Sequence, residues 1–136
     1  MHISATIRNS YQQNEVSVST DSDQKEISIA GKAGGFGSSV NGGELLFLSL
    51  ATCFCNDVYR EAAKRQMNIT SVEVTVTGEF GKEGEPATNI IYDVNVQSPH
   101  HSQREIAELI QHVDKVAEVH NTLRNGVSVS LKAKSI

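Results

Sequence analysis

Three stretches near the start of the chain alternate apolar and polar residues. Residues 2–8 do so modestly, residues 15–20 (EVSVST) cleanly, and residues 25–30 (KEISIA) again, with Asp21-Ser22-Asp23-Gln24 as the turn before the last. Successive strand side chains point to opposite faces, so each stretch predicts a short strand with one wet face. Residues 32–43 then carry five glycines in twelve positions, which predicts a loop with unusual backbone angles or a close approach of another element. That loop lacks both the Lys-Ser/Thr ending of a phosphate loop and the spacing of a dinucleotide fingerprint. It is expected to lead into the next helix and to form one wall of a pocket.

Residues 44–67 are the longest helical stretch, and the first half is apolar on almost every side. Leu46, Leu50, Cys53, Asp57 and Arg60 mark one line at spacings of three and four; Leu45, Ser49, Thr52 and Asn56 mark another. A helix that is apolar all round is normally enclosed by other elements or by a partner chain. Residues 72–80 (VEVTVTGEF) alternate strongly, residues 81–86 form a turn, and residues 89–97 return as the second strand of an antiparallel hairpin. Ser102 is expected to cap the next helix with Glu105 as its reciprocal partner, and Ile106, Leu109, Ile110, Val113, Val116 and Ala117 form its apolar stripe. A short helical turn over residues 119–123 and a last strand over residues 127–133 complete the order. The predicted class is α+β, with antiparallel sheets around a long central helix.

Composition narrows the setting. With 136 residues and 14.8 kDa, the chain has the size of one domain, 1–136. A domain this small buries roughly two thirds of its unfolded surface, so a homodimer would supplement its core. The formal net charge is −4 and no Lys/Arg block occurs, which argues against nucleic acid and against an anionic membrane as partners. The first residues, MHISATIRNSYQQ, lack the charged and then apolar blocks of a secretory signal. The apolar run at residues 45–54 is far shorter than the roughly 18 residues of a membrane span. A cytoplasmic protein with reduced thiols is expected.

Both cysteines lie in the most apolar segment. Cys53 and Cys55 stand about 200° apart on a helix, so a bond between them would need distorted geometry. A metal would need further ligands, and no second cysteine pair exists beside His2, His100, His101, His112 and His120. No metal and no cofactor is therefore expected. The plain alternative is that both thiols are small apolar core residues. A reactive Cys53 would need a cation or a hydrogen-bond donor from another element, since it lies more than two turns inside its helix.

The sequence GGFG followed by NGGELLFLSLATCF resembles the signature of the osmotically inducible protein C and organic hydroperoxide resistance (OsmC/Ohr) family. The resemblance spans nearly the whole chain. It implies intertwined homodimers with interfacial pockets, and a peroxiredoxin-like activity in the oxidative stress response. In such enzymes a first cysteine attacks the peroxide, a second resolves the sulfenic acid as a disulfide, and an external thiol reductant closes the cycle. Cys53 corresponds to the attacking residue. Ala117 stands where the resolving cysteine is expected, so the chain reads as a divergent member lacking that cysteine. The family's N-terminal arginine falls around Gln13-Asn14, which leaves Arg8 as a substitute. Glu44 is one position from the family's glutamate, and His120, one turn beyond Ala117, is a candidate to reach the same pocket.

Two readings follow. One is reduction of a small organic hydroperoxide through Cys53, aided by Glu44 and His120, weak or altered because the second cysteine and the arginine are absent. The other is a non-enzymatic homodimer that holds an apolar small molecule in its interfacial pocket.

Overall fold

The computed structural model describes residues 1–132, in two compact units, Met1–Leu45 and the chain from Leu46 onward. The first unit is a three-stranded antiparallel sheet in the order β1 (Ile3–Ser10), β2 (Gln13–Thr20), β3 (Asp23–Glu26). Two-residue turns join the strands, pairing Ser10 with Gln13 and Thr20 with Asp23. The third strand therefore starts inside the stretch expected to be a turn. A tight turn brings Asp23 and Gln24 directly into register, and the strand ends at Glu26 rather than Ala30. The glycine-rich segment folds back on this hairpin: Gln12 N–H donates to the Gly35 carbonyl at 2.8 Å, and the Asn14 amide donates to Ser38 Oγ at 2.8 Å. Gly31 permits that approach, because a Cβ there would lie 2.6 Å from the Gln12 carbonyl carbon.

Helix α1 (Gly42–Lys64) begins with a reciprocal cap. Glu44 N–H donates to Asn41 Oδ1 at 2.8 Å and Asn41 N–H to Glu44 Oε1 at 2.9 Å, which satisfies donors that a helix start leaves free. In the second unit α1 buries Leu50, Phe54, Asp57, Val58, Glu61 and Ala62. These positions recur at the helical period, so the elements of this chain cover one face of α1. Leu48 stays 60 % exposed.

Strands β4 (Ser71–Glu79) and β5 (Thr88–Gln97) form a two-stranded antiparallel sheet. Val72, Val74, Tyr92 and Val94 pack inward on a core of Phe54, Val58, Ala62, Val96, Ile106, Leu109, Val113 and Ala117. Gly78 sits where a Cβ would lie 2.6 Å from the ring of Phe47, so that ring can cross the strand. Helix α2 (Gln103–Val116) has the expected capping box, with Glu105 N–H on Ser102 Oγ and Ser102 N–H on Glu105 Oε1, both at 3.1 Å. Ala117 is extended (φ −68°, ψ 110°), which separates α2 from α3 (Glu118–Arg124). Residues 127–132 adopt no regular element, although a strand was expected there; Ala133, its predicted last residue, lies outside the described residues. Val129 and Leu131 in this segment are 97 % and 98 % exposed. Among the described residues no helix is long and apolar enough to cross a membrane.

Candidate functional site

Cys53 lies half-buried on α1 where α3 begins. Its Sγ is 3.6 Å from Asp57 Oδ2, one helical turn later, and 3.9 Å from Glu118 Oε2 on α3. Arg60 organises these acids. Its Nη1 lies 3.0 Å from Asp57 Oδ1 and 3.1 Å from Glu118 Oε1. Each carboxylate thus gives one oxygen to the guanidinium and turns the other toward the sulfur. Asp57 is the inner acid, 5 % exposed, and the Glu118 side chain is the outer one, 64 % exposed.

The electrostatics follow from these positions. Burial pushes the Cys53 thiol above its ordinary value, the charges of Asp57 and Glu118 add to the shift, and the Val119 backbone N–H opposes it. Asp57 is also raised, first by burial and then by the neighbouring Glu118 carboxylate, with Arg60 pulling the other way. Glu118 is lowered by a backbone N–H and by Arg60. Cys53 Sγ and one oxygen from each acid lie within 4.8 Å of one another. That spacing would suit a cation, but Arg60 already supplies the positive charge at both carboxylates.

Arg60 also donates through Nε to Glu61 Oε2 at 2.9 Å. Glu61 takes Lys64 Nζ at 2.8 Å and pairs with His112 Nε2 at 2.9 Å. Lys64 and then Arg60 and His112 hold its carboxyl down at about 2. Two acids four residues apart are thereby tied to a single guanidinium.

The other residues expected at the site have different surroundings. The Glu44 carboxylate is engaged in the cap with Asn41. His120 is buried against the ring of Tyr92, with centroids 4.7 Å apart, and that of Phe54 at 5.6 Å. Neither ring nitrogen of His120 has a hydrogen-bond partner among the described residues. Burial, and then the charge of Arg124, lower its pKa. Arg8 pairs with Glu15 on the neighbouring strand. The polar partners that Cys53 does have, Asp57 and Glu118, and the Arg60 that binds both, were not singled out as a site from sequence. Asp57 and Arg60 nevertheless share the helical line of Cys53, and that was the available signal.

The expectation that the chain lacks a second thiol partner needs correction. Two free cysteines are present, Cys53 and Cys55, both half-buried on α1. Their separation of two residues turns them to different surroundings. Cys53 faces the acids, whereas Cys55 borders a groove of about 260 Å³ lined by Ala51, Thr52, Asn56, Val72 and Val74. Ala117, the position compared with the family's second cysteine, is fully buried in the core.

The two antiparallel sheets and the helices define an α+β fold of OsmC type, and comparison with known proteins agrees. The family profile described as OsmC-like protein matches residues 35–132. The chain belongs to the OsmC/Ohr family. Its structure is similar to that of an OsmC-like protein from Mycoplasma pneumoniae, with a TM-score of 0.61, 24% identity, and coverage of 90% of this chain and 89% of the other. An OsmC-like protein of unknown function from Vibrio cholerae gives a TM-score of 0.62 at 14% identity, covering 90% and 93%. The organic hydroperoxide resistance protein OhrB of Bacillus subtilis gives 0.55 at 16% identity, covering 98% of both chains. At these identities the likeness is one of fold. No curated protein matches the sequence.

Proposed function

We propose that the chain is a thiol-dependent reductant of small organic hydroperoxides acting through Cys53, slow at neutral pH. The observation that carries this reading is a half-buried thiol with two carboxylates and a guanidinium around it, in a member of a family that includes hydroperoxide resistance proteins. The thiolate is the nucleophile. Burial and acidic neighbours keep most Cys53 protonated at neutral pH, so the rate should climb with pH. An external thiol returns the sulfenic acid to the thiol. Glu44 and His120 are accessory in this reading, Glu44 by starting α1 and His120 by packing behind Phe54.

The working form in this reading is a cytoplasmic homodimer of single-domain chains. Leu48, Val129 and Leu131 support it, since large apolar side chains left so exposed gain from cover by a second copy. Anaerobic treatment of the reduced protein with cumene hydroperoxide, followed by intact-mass analysis, tests the chemistry. Gain of one oxygen at Cys53, absent in Cys53→Ser, is expected; no selective gain removes the reading.

A second reading is favoured by the groove beside Cys55, whose lining is mostly small or apolar. In that reading the protein holds an apolar small molecule and performs no chemistry. An unreactive Cys53 together with ligand-dependent protection of Cys55 from alkylation would select it.

A further inference from the structure

The two oxygens of Asp57 face different partners. Oδ1 is held by Arg60 Nη1 at 3.0 Å and Oδ2 lies 3.6 Å from Cys53 Sγ. The thiol is the only one of these groups with a proton to give to Oδ2, because a guanidinium stays protonated. Glu118 repeats the arrangement from α3, with Oε1 on Arg60 at 3.1 Å and Oε2 3.9 Å from the sulfur. It is longer in distance and open to water. Asp57 is nearly sealed, and one turn of α1 links it to the cysteine, so its place relative to the sulfur is set by helix geometry.

We propose that Asp57 is a catalytic residue that accepts the Cys53 thiol proton and passes it to the departing oxygen, and that Arg60 is the positioning residue that aims it. The proposal rests on the hydroperoxide reading. In the step, Cys53 Sγ attacks the terminal oxygen of the hydroperoxide, the S–O bond forms and the O–O bond breaks. Sulfur is oxidised and the peroxide reduced. The thiol proton moves to Asp57 Oδ2 and then to the alkoxide, leaving a sulfenic acid, an alcohol and an ionised Asp57. The charged groups facing the sulfur are Asp57 from α1 and Glu118 from α3, with Arg60 on the far oxygen of each and the Val119 N–H beside the sulfur. Burial and Glu118 raise Asp57 above an ordinary carboxyl, which brings its basicity nearer to that of the thiol it serves.

The test compares two reactions of the same sulfur. Iodoacetamide takes the thiolate and leaves no oxygen to protonate, whereas cumene hydroperoxide needs a proton for its leaving group. In Asp57→Asn, alkylation of Cys53 at neutral pH should rise several-fold, because a like charge has gone. Oxidation by cumene hydroperoxide should fall by about a hundredfold, the usual share of general acid–base catalysis. Opposite movements are not the result of a loosened structure. Equal loss of both, or oxidation at the parent rate, overturns the proposal.

Arg60→Gln provides the second variant should Asp57→Asn fail to fold. Its alkylation profile should shift to higher pH and its oxidation slow about tenfold, with Arg60→Lys restoring part of each. An unchanged profile in Arg60→Gln removes the positioning role. If the parent protein is not oxidised at all, the hydroperoxide reading falls and takes this proposal with it. If the parent is oxidised and Asp57→Asn keeps pace, only the proposal falls.

Discussion

Asp57 and Glu61 stand four residues apart on α1, each 5 % exposed and each bonded to Arg60, yet their acidities move in opposite directions. Glu61 has Lys64 and His112 as further partners, and these hold its charge in place. Asp57 has a thiol and a second carboxylate for its remaining neighbours. Both are nearly sealed from solvent, but burial is the largest influence on Asp57, whereas at Glu61 the bonds from Lys64, Arg60 and His112 outweigh it. One acid is a structural anchor. The other is held in a state that makes it receptive to a proton, which is the condition a proton relay needs.

Replacing each acid by its amide separates the two roles most strongly. Glu61→Gln leaves Lys64 without its anion and takes one of three carboxylates from Arg60, and should lower Tm by about 5 °C or more, whereas Asp57→Asn should leave Tm within about 2 °C or raise it. Thermal unfolding followed by circular dichroism reads both. Equal losses would mean that the two acids serve the fold alike.

A related effect is pH dependence. Glu61 is lowered from 4.5 to about 2, so its contribution is present above pH 4.5 and lost as pH falls toward 2. Asp57 is raised from 3.8 and works the other way, costing stability once pH exceeds its unfolded value. Acid denaturation of the parent should therefore steepen between pH 4.5 and about 2, and Glu61→Gln should flatten that limb.

A smaller shift is expected at the thiol. Cys53 is raised from 9.0, so its alkylation rate should still be climbing above that pH, where an exposed cysteine has levelled off. A rate that levels below pH 9 would show that Arg60 outweighs the two acids.

The smallest effect concerns His120, a buried polar side chain with no hydrogen-bond partner among the described residues. Its pKa is lowered from 6.5, first by burial, so the fold loses stability as pH drops below that value and the unfolded chain takes up the proton. His120→Phe removes two unsatisfied nitrogens and keeps the ring against Tyr92 and Phe54. It should stabilise by about 1 kcal/mol in denaturant unfolding. A loss of Cys53 oxidation in that variant would give His120 more than a packing role.

Legibility followed range along the chain. The Ser102–Glu105 capping box, the inward faces of β4 and β5, and the stripe of α2 were all readable because each depends on neighbours within a few residues. For α1 the chain itself covers one face, because apolar character shows what a helix can bury and not whether the cover comes from the same chain or from a partner. Residues 127–132 alternate like a strand but pair with nothing described, since a strand needs an edge and alternation does not say which. Half of the Cys53 site was visible in the same way. Asp57 and Arg60 repeat at helical spacing from the cysteine, whereas Glu118 is 65 residues away and carries no local mark.

The amino-acid order alone determined most of the sheet and helix segments, the Ser102–Glu105 cap and the presence of an acid and a base on the line of Cys53, because helix and strand periods are local properties. Tertiary structure decided which oxygen of each acid faces the sulfur, that one arginine holds both, and that Cys55 turns to an apolar groove instead. Those outcomes depend on where α3 begins and how β4 packs, and only the folded chain brings such distant residues within hydrogen-bond range.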